Sequence, residues 1–329
     1  MIRLARRYAP QLATLALVLF LDWLAFPSFF RLQLIDGRLT GSLVDVLLRG
    51  APTALLALGM AGVIAVRGID LSVGAVMAIA GAVAANRVAG GSPWWLATIY
   101  AVTAGLACGL WNGLLVAYLR LQPIVATLVL MVAGRGVAQL ITSGQITTFN
   151  DQAFARIASG SLIGLSIPVL IVGAAAATLA ILMRSTALGL FVRAIGTNPR
   201  AAELAGINTR SIIMTVYALS GFAAALAGII ATADIRGADA NNTGLWLELD
   251  AILVVILGGG SLLGGRLSYG LTLIGALILQ GLKTGMLLSG LPPQMTLIVM
   301  AVLICVLLVL QSPVLRARIE ASKMRRSPA

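Results

Sequence analysis

Ten stretches of mostly apolar residues follow one another along this chain, at 11–30, 44–66, 70–88, 94–118, 122–142, 166–184, 211–233, 248–264, 268–288 and 294–311. A helix needs about 20 such residues to cross the hydrocarbon layer of a bilayer. In water, runs of this length and number would aggregate. Over the 329 residues only 10% are charged and 60% are hydrophobic, whereas a soluble domain carries about 25% charged residues to wet its surface. Lipid is therefore the solvent for most of the chain. A cytosolic enzyme, a secreted disulfide scaffold and a disordered tail are excluded. The runs are continuous rather than alternating, which excludes a membrane β-barrel. The expected fold is all-α: a polytopic membrane bundle of about ten spans, forming one transmembrane domain over 1–329, with broken helices and a possible internal repeat. An eight-span arrangement in which 70–88 re-enters the membrane is the competing one.

The basic residues choose an orientation. With both termini on the inner side, fifteen lysines and arginines fall on inner segments and seven on outer ones, as the positive-inside rule requires. This places the chain in the cell inner membrane with cytoplasmic termini and a basic cytoplasmic tail at 312–329. The first run follows three arginines, like a signal-peptide n-region. It lacks a small-x-small cleavage site and ends in Trp23, Phe26, Phe29 and Phe30, so it reads as a retained span with an aromatic belt. The net charge of +12 is spread between and beyond the apolar runs rather than gathered in one patch, so nucleic acid is not an expected partner and membrane lipid is. No histidine is present, which removes His-ligated metals, imidazole relays and Ser-His-Asp chemistry. No metal site and no catalytic residue is expected. Cys108 and Cys305 lie within apolar runs and read as small buried hydrophobes.

Two breaks interrupt the apolar pattern. Arg67-Gly68-Ile69-Asp70-Leu71-Ser72-Val73-Gly74 separates the second and third runs. It reads either as a tight turn capped by Asp70 or Ser72, or as a broken helix that places Asp70 and Ser72 beside a solute pathway. The second break, Gly258-Gly259-Gly260-Ser261 through Gly264-Gly265-Arg266, is rich in glycine but has no Gly-Lys-Ser/Thr step, so no ATP site is visible in this chain. Asn112 and Arg135 are polar residues inside spans, where they glue helices together or line a path. Gly105, Gly109 and Gly113 form a small-residue face suited to close helix packing.

The outer segment 234–250 is rich in carboxylates, amides and an indole, including Asn241, Asn242, Trp246, Glu248 and Asp250. Such groups hydrogen-bond sugar hydroxyls and stack on a sugar ring. They read as a substrate pathway, or as a solvated loop in which Glu248 caps the next helix. Between 185 and 210, Asn198-Pro199-Arg200-Ala201-Ala202-Glu203-Leu204-Ala205-Gly206 has an N-cap, a proline at the first helical position and a terminal glycine. A short helix at the membrane surface suits docking to a partner. An ion-coupled secondary transporter of a small polar solute, with Asp70 at the ion site, is the alternative class. It would leave that docking helix unexplained.

The string Gly68-Ile69-Asp70-Leu71-Ser72-Val73-Gly74 resembles the hallmark of permease subunits of bacterial sugar ABC importers, the ribose, xylose and galactose group. Ala194-Ile195-Gly196-Thr197-Asn198, followed by Ala201-Ala202 and Gly206-Ile207-Asn208, is similar to the coupling loop of the same group. Its leading acid is replaced by Arg200 and its later Leu-Pro is absent. Asp36-Gly37-Arg38-Leu39, Ile235 to Asn242 and Gly244 to Asp250 are similar to the galactofuranose importers of the group. The resemblance spans essentially the whole chain. It implies an ATP-driven sugar permease, whose path, from the residue chemistry above, is expected at Asp70, Ser72, Asn112, Asn241, Asn242, Trp246, Glu248 and Asp250. It further implies coupling to ATPase subunits through Gly196, Asn198, Ala201, Ala202 and Gly206. The implied partners are an ATP-binding ATPase subunit that carries the nucleotide, a periplasmic sugar-binding protein, and a second permease subunit, the same chain or a different one.

Overall fold

A computed structural model describes residues 2–35, 38–162, 164–290 and scattered positions between 292 and 309. The tail at 312–329 and most of the predicted span 294–311 lie outside the described residues, as do Asp36 and Gly37. Twelve helices follow in order among the described residues: α1 (Ile2–Ala25), α2 (Ser42–Ala65), α3 (Val73–Ala89), α4 (Trp94–Ala117), α5 (Pro123–Ile141), α6 (Gln152–Ser159), α7 (Ile167–Ser185), α8 (Ala187–Thr197), α9 (Pro199–Leu204), α10 (Thr209–Ile235), α11 (Leu247–Leu257) and α12 (Tyr269–Leu288). Among the described residues strand is confined to pieces of two or three residues, such as Thr147–Thr148 paired antiparallel with Gly237–Ala238.

Seven of the helices, α1, α2, α4, α5, α7, α10 and α12, are long and apolar enough to cross a membrane among the described residues. The chain is thus a polytopic helical bundle. Two of the expected spans are shorter than the apolar pattern suggests. The third begins as a helix only at Val73 and runs 17 residues. The eighth, expected over 248–264, is the 11-residue α11. The glycines that follow α11 at 258–265 leave the helix, with Gly259, Gly264 and Gly265 in left-handed conformations that other residues rarely adopt. Periodicity cannot separate an apolar turn from an apolar helix, so the run looked longer than the helix is.

Helix α10 is the hub, packing on α4, α2 and α3. The small face of α4 lies against it. A Cβ added at Gly105 would stand 2.6 Å from Ala225 Cβ, and one at Gly113 would stand 2.9 Å from Met214 Cα. Those glycines serve packing within the chain, since backbones can approach this closely only where side chains are absent. In α2, 78% of the spanning window is buried, against 22% in each of α1, α5 and α7. The former therefore belongs to the core of the chain, and the latter three leave most of their surface outside it.

Both breaks arrive at one face of the bundle, where α8 and α9 lie. Arg67, held at φ 66°, donates to the carbonyls of Gly196 (2.8 Å) and Thr197 (2.6 Å). Gly265 N–H donates to the Ala65 carbonyl at 2.9 Å. The two glycine-rich breaks and the loop between α8 and α9 are therefore one contiguous backbone assembly. A Cβ at Gly196 would meet Gly265 Cα at 2.8 Å, so Gly196 is required for this approach.

Candidate solute pathway

The 68–72 break ends in a buried polar hub. Asp70 is 2% exposed and lies between three helices. Its Oδ1 accepts from the Ser72 hydroxyl (2.6 Å), the Ser72 backbone N–H (3.1 Å) and Asn112 Nδ2 of α4 (3.5 Å), and its Oδ2 accepts from the Ser220 hydroxyl of α10 (2.9 Å). Asn112 Nδ2 also donates to Ser72 Oγ at 2.8 Å. Thr127 of α5 accepts from Leu71 N–H and donates to the Ile69 carbonyl, at 3.1 and 3.2 Å. A chain leaving a helix inside a bilayer strands its backbone groups, and only protein partners can satisfy them there. Asp70 and Thr127 supply those partners, and Ser72, Asn112 and Ser220 hold Asp70 in place. Ser72 is the N-cap residue of α3, but its hydroxyl is spent on Asp70 rather than on the helix start.

A second irregular segment, 236–246, joins α10 to α11. Asp239 accepts from Asn241 N–H, Asn242 N–H and Asn242 Nδ2, the last at 2.7 Å. The Asn242 side chain above all holds the Asp239 carboxyl below its ordinary range. Arg135 of α5 donates to the carbonyls of Thr243 and Ala240, and Gln139 donates to Asn241 Oδ1 at 2.7 Å. The segment descends until Gly244 meets Gly74 at the start of α3. Neither glycine could carry a Cβ, because each faces the other's backbone. Beneath this crossing Glu248 is 7% exposed, its Oε2 has no hydrogen-bond partner among the described residues, and that oxygen would stand 2.6 Å from a Cβ at Gly74.

Gly244 also lines a cavity of about 460 Å³, within the range of about 300–1,000 Å³ usual for small-molecule sites. Its polar wall consists of Asp45 and Arg49 of α2, Asp234 at the end of α10, and Thr243. Asp45, Arg49 and Asp234 are exposed. No ion pair joins them among the described residues. Two carboxylates and a guanidinium with free hydrogen-bonding atoms suit a polyhydroxylated ligand.

Asp70, Ser72 and Asn112 are thus brought into one cluster, and Glu248 lies against the helix that this cluster starts. The others part company. The Asn242 side chain bonds Asp239 within its own segment, and that of Asn241 ties the segment to Gln139 of α5. Trp246 is 65% exposed and left-handed at φ 66°. Asp250 forms an ion pair with Lys283 of α12, a partner 33 residues away. Asp45 and Arg49 carry no mark in an apolar-run scan, which assigns them to a span margin. Their spacing of four on one helix face was the available signal.

On the face with the loop, Asn198 Oδ1 accepts from Ala201 N–H at 3.1 Å, Pro199 opens α9, and Gly206 closes it at φ 83°. Ala202 is 4% exposed and joins the chain's own core, whereas Leu204 is 76% exposed and Ala201 is exposed. The outward surface of α9 therefore carries Ala201 and Leu204 together with the exposed Arg200–Glu203 ion pair. Among the described residues, no group of three His, Cys, Asp or Glu side chains could hold a metal.

The family model of the branched-chain amino acid transport system / permease component matches residues 42–308. The galactofuranose transporter permease protein of Escherichia coli (strain K12) is 57% identical, over 92% of this chain and 89% of its own length. The fructose import permease protein of Bifidobacterium longum is 40% identical over 84% of this chain and 79% of its own. The ribose import permease protein of Escherichia coli (strain K12) is 38% identical over 89% of each. No solved structure matches.

Proposed function

This chain belongs to the branched-chain amino acid transport system / permease component family, and we propose that it is the membrane-spanning subunit of an ATP-driven importer of galactofuranose or a related monosaccharide. The substrate class is supported by the 57% identity to a galactofuranose transporter permease. The observation that carries the pathway is the cavity walled by Asp45, Arg49 and Asp234, whose floor at Gly244 rests on Gly74 and Glu248.

In this reading the cavity face is periplasmic and the α8–α9 face is cytoplasmic, following the basic-residue bias. A periplasmic sugar-binding protein delivers the sugar to the cavity. Neutral and charge-assisted hydrogen bonds of about 1–3 kcal/mol each hold it, weakly enough for onward movement. Segment 185–210 is the coupling loop. An ATPase subunit, which binds and hydrolyses the nucleotide, grips α9 on Ala201 and Leu204. Gly196, Asn198, Ala202 and Gly206 position that helix rather than touch the partner. The contiguous assembly of Arg67, Gly196 and Gly265 then transmits a push on α9 to both breaks, and so to Asp70 and the start of α3. A second permease subunit, identical or different, completes the pathway.

The experiment is uptake into proteoliposomes that contain this chain with its ATPase subunit and are supplied with the binding protein. Arg49→Ala should lower sugar uptake while leaving the ATPase subunit bound. Unchanged uptake in Arg49→Ala and Asp234→Ala together would remove the cavity from the pathway.

A further inference from the structure

Helices α7 and α12 lie side by side with few direct contacts, and the cleft between them changes character along its length. Along the first turns of α7 it is an apolar groove of about 190 Å³, with Val172 and Gly173 of α7 facing Leu273 and Ala276 of α12 over Gly50 of α2. Gly173 has open space where a Cβ would stand, so its helix is not packed against protein there. Toward the α8–α9 face the same helix pair bounds a second cavity of about 420 Å³. Arg184, at the end of α7, Arg193 of α8 and Arg266 of the second break line it, together with Tyr8 and Tyr269.

These three arginines come from three separate elements, and among the described residues no carboxylate lines the cavity with them. Among the described residues none of the three is in an ion pair, and Arg193 spends one donor on the Met183 carbonyl at 3.4 Å. Tyr8 opens the apolar window of α1 and Tyr269 opens that of α12, which sets the cavity at the hydrocarbon boundary. Gly173 and Arg184 are eleven residues apart on α7, about 16 Å along the helix axis, a distance that an acyl chain covers.

We propose that the α7–α12 cleft is a binding site for an anionic phospholipid, its phosphate held by Arg184, Arg193 and Arg266 and one acyl chain laid in the groove at Gly173. Basic pockets between helices at a membrane face recognise lipid phosphate in this way. Bidentate guanidinium groups suit its oxygens. Since Arg193 lies on α8, immediately before α9, the lipid would brace the element that carries the exposed Leu204.

The test is cardiolipin binding to the delipidated full-length chain in detergent, read by native mass spectrometry against phosphatidylcholine and inorganic phosphate. The wild type should prefer cardiolipin to phosphatidylcholine by about a hundredfold, each arginine contributing about fivefold. The triple variant Arg184→Gln, Arg193→Gln, Arg266→Gln should bind the two lipids alike. The corresponding triple Lys variant should keep the preference, which separates lost charge from lost fold. Gly173→Phe should fill the groove and weaken cardiolipin binding with the arginines intact. Equal binding of both lipids by the wild type, or a preference that survives the Gln triple, would overturn the proposal. So would full cardiolipin binding in Gly173→Phe with displacement by phosphate, which would mark a free-anion site instead.

Discussion

Replacing Asp70 by alanine removes the acceptor around which the first break is organised. Three donors lose their partner: the Ser72 N–H, the Ser72 hydroxyl and the Ser220 hydroxyl, each now within 3.1 Å of the carboxylate. The Asn112 contact at 3.5 Å is too long to add much. Polar contacts inside bilayers contribute about 0.6 kcal/mol on average, and a stranded buried donor costs about 1–3 kcal/mol. The hydroxyls can turn toward carbonyls of the preceding helical turn, so the lower end applies to them, and the sum is about 3 kcal/mol. Asp70→Asn keeps the shape and one acceptor oxygen and should cost about 1 kcal/mol. Thermal unfolding of the purified permease, followed by fluorescence-detected size exclusion, ranks the two. Alanine should lower the midpoint well below the wild type, with asparagine between them. A midpoint for Asp70→Ala equal to the wild type would refute the argument that this carboxylate satisfies the broken helix. Equal losses for the two variants would show that charge, not acceptor geometry, matters at this site.

At the proposed coupling loop, Leu204→Asp should leave the fold intact and abolish stimulation of the ATPase by binding protein, because Leu204 is 76% exposed. Ala202→Trp should instead destabilise the permease by about 1–3 kcal/mol, since it overfills the chain's own core; ATPase co-purification and melting temperature separate the two effects. Gly74→Ala should sharply reduce the yield of folded protein, because its Cβ would press on the Gly244 backbone and Glu248, and a wild-type yield would show that the crossing can open. Glu248→Ala should lower uptake, and Glu248→Ser should not restore it, because the Glu248 carboxyl meets the first-turn backbone of α11 and its Oε2 also reaches Gly74, which serine is too short to do. Full uptake in the serine variant would identify a helix cap.

The membrane class and the α9 helix were legible because both rest on local chemistry. Apolar runs and an Asn-Pro start with a Gly stop are readable a few residues at a time. Asp70, Ser72 and Asn112 stood out because polar groups within apolar runs are costly and need a reason. Their meeting in one cluster was not legible, since Asn112 lies 42 residues from Asp70. A separation of 33 residues likewise hid the pairing of Asp250 with Lys283. Composition could not say which alanine of α9 faces out, because Ala201 and Ala202 are chemically identical. Asp45 and Arg49 were hidden by position: charge at the margin of an apolar run reads as loop until the helix is seen to carry it into a cavity.

Uptake of labelled galactofuranose into proteoliposomes holding this permease, its ATPase subunit and the binding protein tests the central claim most directly. The predicted result is accumulation that requires ATP and the ATPase subunit, persists when proton and sodium gradients are collapsed, and falls when Arg49 and Asp234 are replaced by alanine. Accumulation driven by an ion gradient in liposomes holding this chain alone would contradict it.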